Sequence, residues 1–108
     1  MKKTYYTYIL QCNDESYYTG VTNNIETRIS EHKQGVHPEC YTFNRRPVKL
    51  VYCEYNNDIN ISIAREKQIK GWSRVKKEAL IINDIDQLLE LSNHNNVTYK
   101  CRSSINSE

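Results

Sequence analysis

The sequence predicts a small α/β (α+β) fold, a three-stranded and largely antiparallel sheet flanked by helices in the order β-β-α-β-α-α. Three observations carry that reading. "TYYTYILQC" (4–12) and "YYTGVT" (17–22) are rich in aromatic and β-branched residues and flank the turn-forming "NDES", which together signal a hairpin. A capped helical pattern follows at "NNIETRISEHKQG" (23–35). A third strand-like run, "VKLVYCEY" (48–55), then leads into two further helical stretches.

Each element has its own justification. Both hairpin strands carry apolar or aromatic groups on both faces, so the sheet should be covered on both sides. In the first helix Asn23 or Asn24 can cap, Glu26 suits the positive end, Ile25 and Ile29 share a face, and Gly35 can stop the chain. Residues 36–47 read as loop and contain both prolines. "NNDINISIAREKQIKGW" (56–72) enters a second helix with Ile61, Ala64 and Ile69 as inward candidates, and Gly71 closes it. Ser73 can cap "RVKKEALIIN" (74–83), with Val75, Ala79, Leu80 and Ile82 inward. "DIDQLLELS" (84–92) offers one more short helix. A folded domain over 1–92 and a polar, frayed tail over 93–108 complete the division.

Bulk properties narrow the function classes. With 38% hydrophobic and 26% charged residues, 108 residues make one ordinary globular domain. No apolar run approaches the roughly 20 residues needed to cross a bilayer, and "MKKTYYTYIL" does not read as a secretion signal, so an intracellular (cytoplasmic) protein without a membrane partner is expected. Cys12, Cys40, Cys53 and Cys101 are scattered, which favours free thiols over a disulfide framework. "HPEC" lacks the second close ligand pair that a structural zinc site requires.

Net charge is only +2, but its distribution is uneven. "REKQIKGWSRVKK" (65–77) sets Arg65, Lys67, Lys70, Arg74, Lys76 and Lys77 against Glu66 alone, and "FNRRPVK" adds Arg45, Arg46 and Lys49. Such a run is either a solvated helix face or a surface for a phosphate backbone. Arg45, Arg46, Lys67, Lys70, Lys76 and Lys77 are the candidates for contacting DNA.

Arg28 and His32 lie four apart and share a helix face. They form either a solvated pair or a phosphate-binding fork beside a group able to move a proton. Glu66 forms local ion pairs, or it offers one hard oxygen ligand to Mg²⁺, an ion that often takes only one or two carboxylates. Nine tyrosines are mostly sheet packing; one acting as a general base would need its pKa lowered by a metal ion or an arginine.

These residues carry a resemblance. "YTYIL" (6–10) with "YTG" (18–20) resembles the paired signature of the GIY-YIG nuclease family, "TRISEH" (27–32) its arginine and histidine, and "AREKQIKGWSRVKKEALI" (64–81) the second-half block of its small stand-alone members. Tyr6, Thr7 and Thr19 depart from the name-giving residues at backbone or packing positions. The resemblance implies a metal-dependent endonuclease that hydrolyses DNA by in-line attack of a Tyr-activated water. It places Tyr8, Tyr18, Arg28, His32 and Glu66 in the catalytic site, with Glu66 holding Mg²⁺ (or Mn²⁺) and no organic cofactor. The alternative is a nucleic-acid binding module of the same fold that has lost useful catalysis. The two-tyrosine mechanism also sets a geometric demand. Pairing Cys12 with Tyr17 across "NDES" would put Tyr8 and Tyr18 on opposite faces, so a common site needs an odd-numbered loop or a bulge.

Overall fold

The computed structural model describes residues 3–83 and 101–103. Strands β1 (Tyr5–Gln11), β2 (Tyr17–Thr22) and β3 (Lys49–Asn56) form the antiparallel core of the sheet; helices α1 (Ile25–Gln34), α2 (Ile59–Lys70) and α3 (Arg74–Asn83) flank it. The three-strand, three-helix α+β order expected from the sequence is the one observed. A two-residue strand β4 (Arg102–Ser103) adds in parallel to β3, giving the order β2-β1-β3-β4. The stretch read as a further helix at 84–92, and most of the tail, lie outside the described residues.

The hairpin meets the geometric demand. Gln11 pairs with Tyr17, Leu10 with Tyr18 and Tyr8 with Gly20. The Cys12 amide bonds the Ser16 carbonyl (2.8 Å), leaving Asn13, Asp14 and Glu15 as a three-residue loop. Glu15 takes the left-handed conformation (φ 69°) that such loops demand at their third position. The odd count puts Tyr8, Leu10, Tyr18 and Gly20 on one face. Asp14 bonds the Ser16 amide (3.1 Å), and Arg45 clamps it from outside through Nε (3.2 Å).

Both faces of the sheet are covered. Tyr8, Leu10, Cys12, Val48 and Cys53 pack with Ile25 and Ile29 of α1; Ile9 and Tyr52 pack with Ile69 of α2 and Ile81 of α3. Asn24 caps α1 by accepting from the Thr27 amide (3.1 Å), and Gly35 ends it in the left-handed region. Ser73 accepts from the Lys76 amide (3.2 Å) at the start of α3.

Three expectations need correction. Helix α2 does not turn Ile61 and Ala64 inward: both are exposed, and the positions facing the fold are Ser62, Arg65, Glu66 and Ile69. That spacing is helical, but the face is mostly polar because it answers a buried acid, Glu54 of β3. Arg65 donates from Nε to Glu54 Oε2 (2.7 Å) and from Nη2 to Oε1 (2.9 Å), and Tyr52 donates to Oε1 (2.5 Å). Helix α3 buries Ile81 and half-buries Leu80, while Val75, Ala79 and Ile82 face outward. Finally, Cys53 and Cys101 are joined as a disulfide, leaving Cys12 and Cys40 free. The β3–β4 pairing brings their Cα atoms within 4.8 Å, inside the range a disulfide spans. The expectation of free thiols therefore holds for Cys12 and Cys40 alone. No helix among the described residues is long and apolar enough to cross a membrane.

Candidate active site

Four of the five residues singled out by the sequence converge on the α1 face of the hairpin. Tyr8 comes from β1, Tyr18 from β2, and Arg28 and His32 from consecutive turns of α1. The Tyr8 hydroxyl lies 3.0 Å from His32 Nε2. Ring centroids are 6.4 Å apart for Tyr8 and Tyr18, and 5.2 Å apart for Tyr18 and His32. Gly20 makes room for this packing, since a Cβ there would fall 2.5 Å from the Tyr8 hydroxyl oxygen.

Arg28 stands at the mouth of the site, 40% exposed and paired with Glu31 at 3.4 Å. Its charge acts on Tyr8, Tyr18 and His32 together. Glu66 arrives from the other side of the sheet. Helix α2 runs past β2, and the Glu66 carboxylate is near enough to contribute to the electrostatics of Tyr18. Its Oε2 accepts from Lys70 Nζ (2.7 Å), and its side chain is only 15% exposed.

The protonation states follow from burial. Desolvation pushes the Tyr8 phenol well above its usual range, Tyr18 adds to the push, and Arg28 pulls back less strongly. Tyr18 is raised as well, by burial first, then by Cys40, with Arg28 opposing and Glu66 adding. A tyrosine with a lowered pKa was the expectation for a base; in the protein alone, burial outweighs the arginine and both phenols stay protonated. His32 is held below its usual value, first by burial and then by Arg28, so it is a neutral imidazole at pH 7.

A groove of about 350 Å³ opens beside Tyr18, lined by Tyr17, Tyr18, Thr19, Tyr41, Lys70 and Lys77. Tyr41 stacks on Tyr18 (6.2 Å, 19°), and the Arg45 guanidinium covers the outer face of the pair, 3.8 Å from the Tyr41 ring centre. Of the basic residues expected to contact DNA, Lys70, Lys77 and Arg45 thus border the site. Arg46 is turned to a local task, donating to the Phe43 carbonyl (2.9 Å) and lying against Gly35. Lys76 covers the Trp72 ring at 4.4 Å, and Lys67 is exposed.

The loop 36–47 supplies residues that sequence reasoning passed over. Thr42 is 1% exposed with its Oγ1 2.8 Å from His32 Nδ1, and Cys40 Sγ lies 3.9 Å from the same nitrogen. The signal available was "YT" at 41–42, an aromatic and β-branched pair inside an otherwise polar, proline-bounded loop.

Two tyrosines, an arginine and a histidine thus meet beside a groove walled by Lys70 and Lys77, on a hairpin-helix-strand topology. The model of the GIY-YIG catalytic domain matches residues 4–79, and the chain belongs to that family. Its relatives are UPF0213 proteins. One from Syntrophus aciditrophicus (strain SB) is 49% identical over 76 residues, spanning 70% of this chain and 87% of its own. Another, from Natronomonas pharaonis, is 42% identical over 84 residues, spanning 78% and 98%. The solution NMR structure of a UPF0213 protein from Bacillus halodurans is similar with a TM-score of 0.55 and 32% identity, over 85% of this chain and 97% of that one.

Proposed function

We propose that the protein is a metal-dependent endonuclease that hydrolyses DNA backbone phosphodiesters. The observation that carries this reading is the 3.0 Å contact between the buried Tyr8 hydroxyl and His32 Nε2, with Arg28 beside both. A phenol that stays protonated cannot take a proton from water by itself. It can do so in concert, receiving the water's proton on its oxygen as its own passes to the neutral imidazole at Nε2. A bond then forms from the water oxygen to phosphorus, and the bond to the leaving oxygen breaks in line. Arg28 neutralises charge developing on the phosphoryl oxygens, and Tyr18 holds the same phosphate from the other strand.

Glu66 fits a magnesium-type ion. Such an ion accepts a single carboxylate and fills its shell with water and substrate phosphate; Glu66 pairs with Lys70 of the groove wall and acts electrostatically on Tyr18. Among the described residues no cluster of three His, Cys, Asp or Glu side chains forms a zinc-like cage. Mg²⁺ or Mn²⁺ held by Glu66 would supply charge neutralisation at the leaving oxygen. Lys70, which now bonds that carboxylate, would turn toward the DNA backbone together with Lys77 and Arg45.

The test is a cleavage panel of duplex, flap, junction and single-stranded DNA with Mg²⁺ and Mn²⁺ varied. Nicking that disappears in Glu66→Ala and falls about 10²–10³-fold in Arg28→Ala is expected, the latter the usual cost of one charge-stabilising donor. Intact DNA in every lane overturns the reading. The Glu66–Lys70 ion pair favours a second one, a binding module in which the carboxylate is only a partner for lysine. Salt-dependent DNA binding left unchanged by Glu66→Gln, without cleavage, would select it.

A further inference from the structure

We propose that Thr42 is a positioning residue whose hydroxyl holds His32 in the Nδ1–H tautomer, so that Nε2 presents a lone pair to the Tyr8 hydroxyl. The catalytic consequence rests on the endonuclease reading above; the tautomer itself does not.

A neutral imidazole carries one proton on two nitrogens, and its partners decide where it sits. His32 is 6% exposed, and both its nitrogens have a hydroxyl within reach, Tyr8 at 3.0 Å and Thr42 at 2.8 Å. Two proton arrangements satisfy this chain, running in opposite directions. Its ends discriminate between them.

At the outer end Tyr8 faces Arg28, a group that only donates. The Tyr8 oxygen turns lone pairs toward that cation, and its single proton needs an acceptor elsewhere in a fully buried environment. At the inner end Thr42 has one proton to give, and its Oγ1 lies 3.5 Å from Cys40 Sγ, the acceptor in that contact. The sulfur is surrounded by donors. Burial pushes the Cys40 thiol up, but the Thr42 hydroxyl and amide, the Tyr18 phenol and the Tyr41 amide outweigh it and leave the thiol below its usual range. With its proton directed at sulfur, the Thr42 oxygen has lone pairs left for His32 Nδ1–H. The consistent direction runs from Arg28 to Tyr8, from Tyr8 to Nε2, from Nδ1 to Thr42, and from Thr42 to Cys40. Reversed, Nε2 would donate to Tyr8 and could not receive its proton.

The experiment reads the tautomer directly. In protein labelled with ¹⁵N-histidine, two-bond ¹H–¹⁵N spectra assign which His32 ring nitrogen carries the proton. Wild type and Thr42→Ser should show protonated Nδ1 and a lone-pair Nε2. Thr42→Val, which keeps the shape and loses the acceptor, should populate Nε2–H. Cys40→Ala should shift His32 the same way by freeing the Thr42 proton for Nδ1. On a DNA substrate that wild type cuts, Thr42→Val should lower kcat about 10²-fold, the order of a general acid–base contribution, with KM unchanged and Thr42→Ser restoring it. Nε2–H in the wild type, or Nδ1–H unchanged in both Thr42→Val and Cys40→Ala, overturns the proposal. If no DNA is cut, the spectra still decide the tautomer while the endonuclease reading fails on its own.

Discussion

Helices α1 and α2 cover opposite faces of one sheet, yet they solve different problems. The α1 face is dry around Ile25 and Ile29, and its polar residues gather at one spot, where Arg28 and His32 meet the two tyrosines. The α2 face instead buries a charged pair, Arg65 on Glu54, with Glu66 one residue on paired to Lys70. Neighbouring charges on a single turn thus have separate partners: Arg65 holds the sheet through Glu54, and Glu66, proposed to hold the metal ion, pairs with Lys70. The proposed site, reaching around the β2 edge, would draw on one helix face that is mostly apolar and one that is mostly polar.

That separation can be broken by substitution. Glu54→Ala leaves Arg65, 18% exposed, without its acid, and should cost about 3–5 kcal/mol in denaturant unfolding, the range for an orphaned buried charge. Glu66→Ala, beside it in the helix, should leave unfolding within about 1 kcal/mol while removing cleavage, because the Lys70 end of its ion pair is exposed. Equal losses of stability from both would erase the distinction between the faces.

On the α1 side, Gly20→Ala sharpens the comparison. A methyl 2.5 Å from the Tyr8 hydroxyl oxygen must displace the ring, for about 1–3 kcal/mol of destabilisation, and should remove the Tyr8–His32 contact from NMR spectra. A smaller effect is expected from pH. Burial depresses the His32 pKa in the folded protein, so between that value and the unfolded value near 6.5 the unfolded chain binds more protons. Stability is therefore complete above pH 6.5 and declines as pH falls through the folded pKa. Melting curves of wild type and His32→Gln should diverge in that acid window, and parallel curves would refute it. The smallest effect belongs to the hairpin turn. Glu15→Asn, which tolerates the left-handed backbone better, should add up to about 1 kcal/mol without touching cleavage.

The α1 side was legible because its signals are local. Strand composition, the Asn24 cap, the Gly35 stop and the four-residue step from Arg28 to His32 all lie within one hairpin-helix unit, and side-chain alternation alone demanded the odd loop. The α2 side was not, because its inward face is defined by a partner on another strand. Nothing within residues 59–70 announces that Glu54 is buried, so Ile61 and Ala64 read as inward beside Ile69, where Ser62, Arg65 and Glu66 face the fold instead. Ile82 and Val75 misled in the same way, since α3 needs only Leu80 and Ile81 to close the second core. The Cys53–Cys101 link spans 48 residues and depends on a two-residue strand with no periodicity to betray it. Thr42 was hidden for a related reason: its worth comes from a histidine ten residues back.

The sheet order β2-β1-β3-β4 also separates the groove from residues 101–103. The basic cleft opens at the β2 margin, whereas Cys101 is fastened to Cys53 two strands away, with β4 capping the opposite margin. A label or surface anchor coupled at position 103 itself would sit at the margin opposite the groove. Immobilised in that orientation, the protein should present its cleft outward to long DNA.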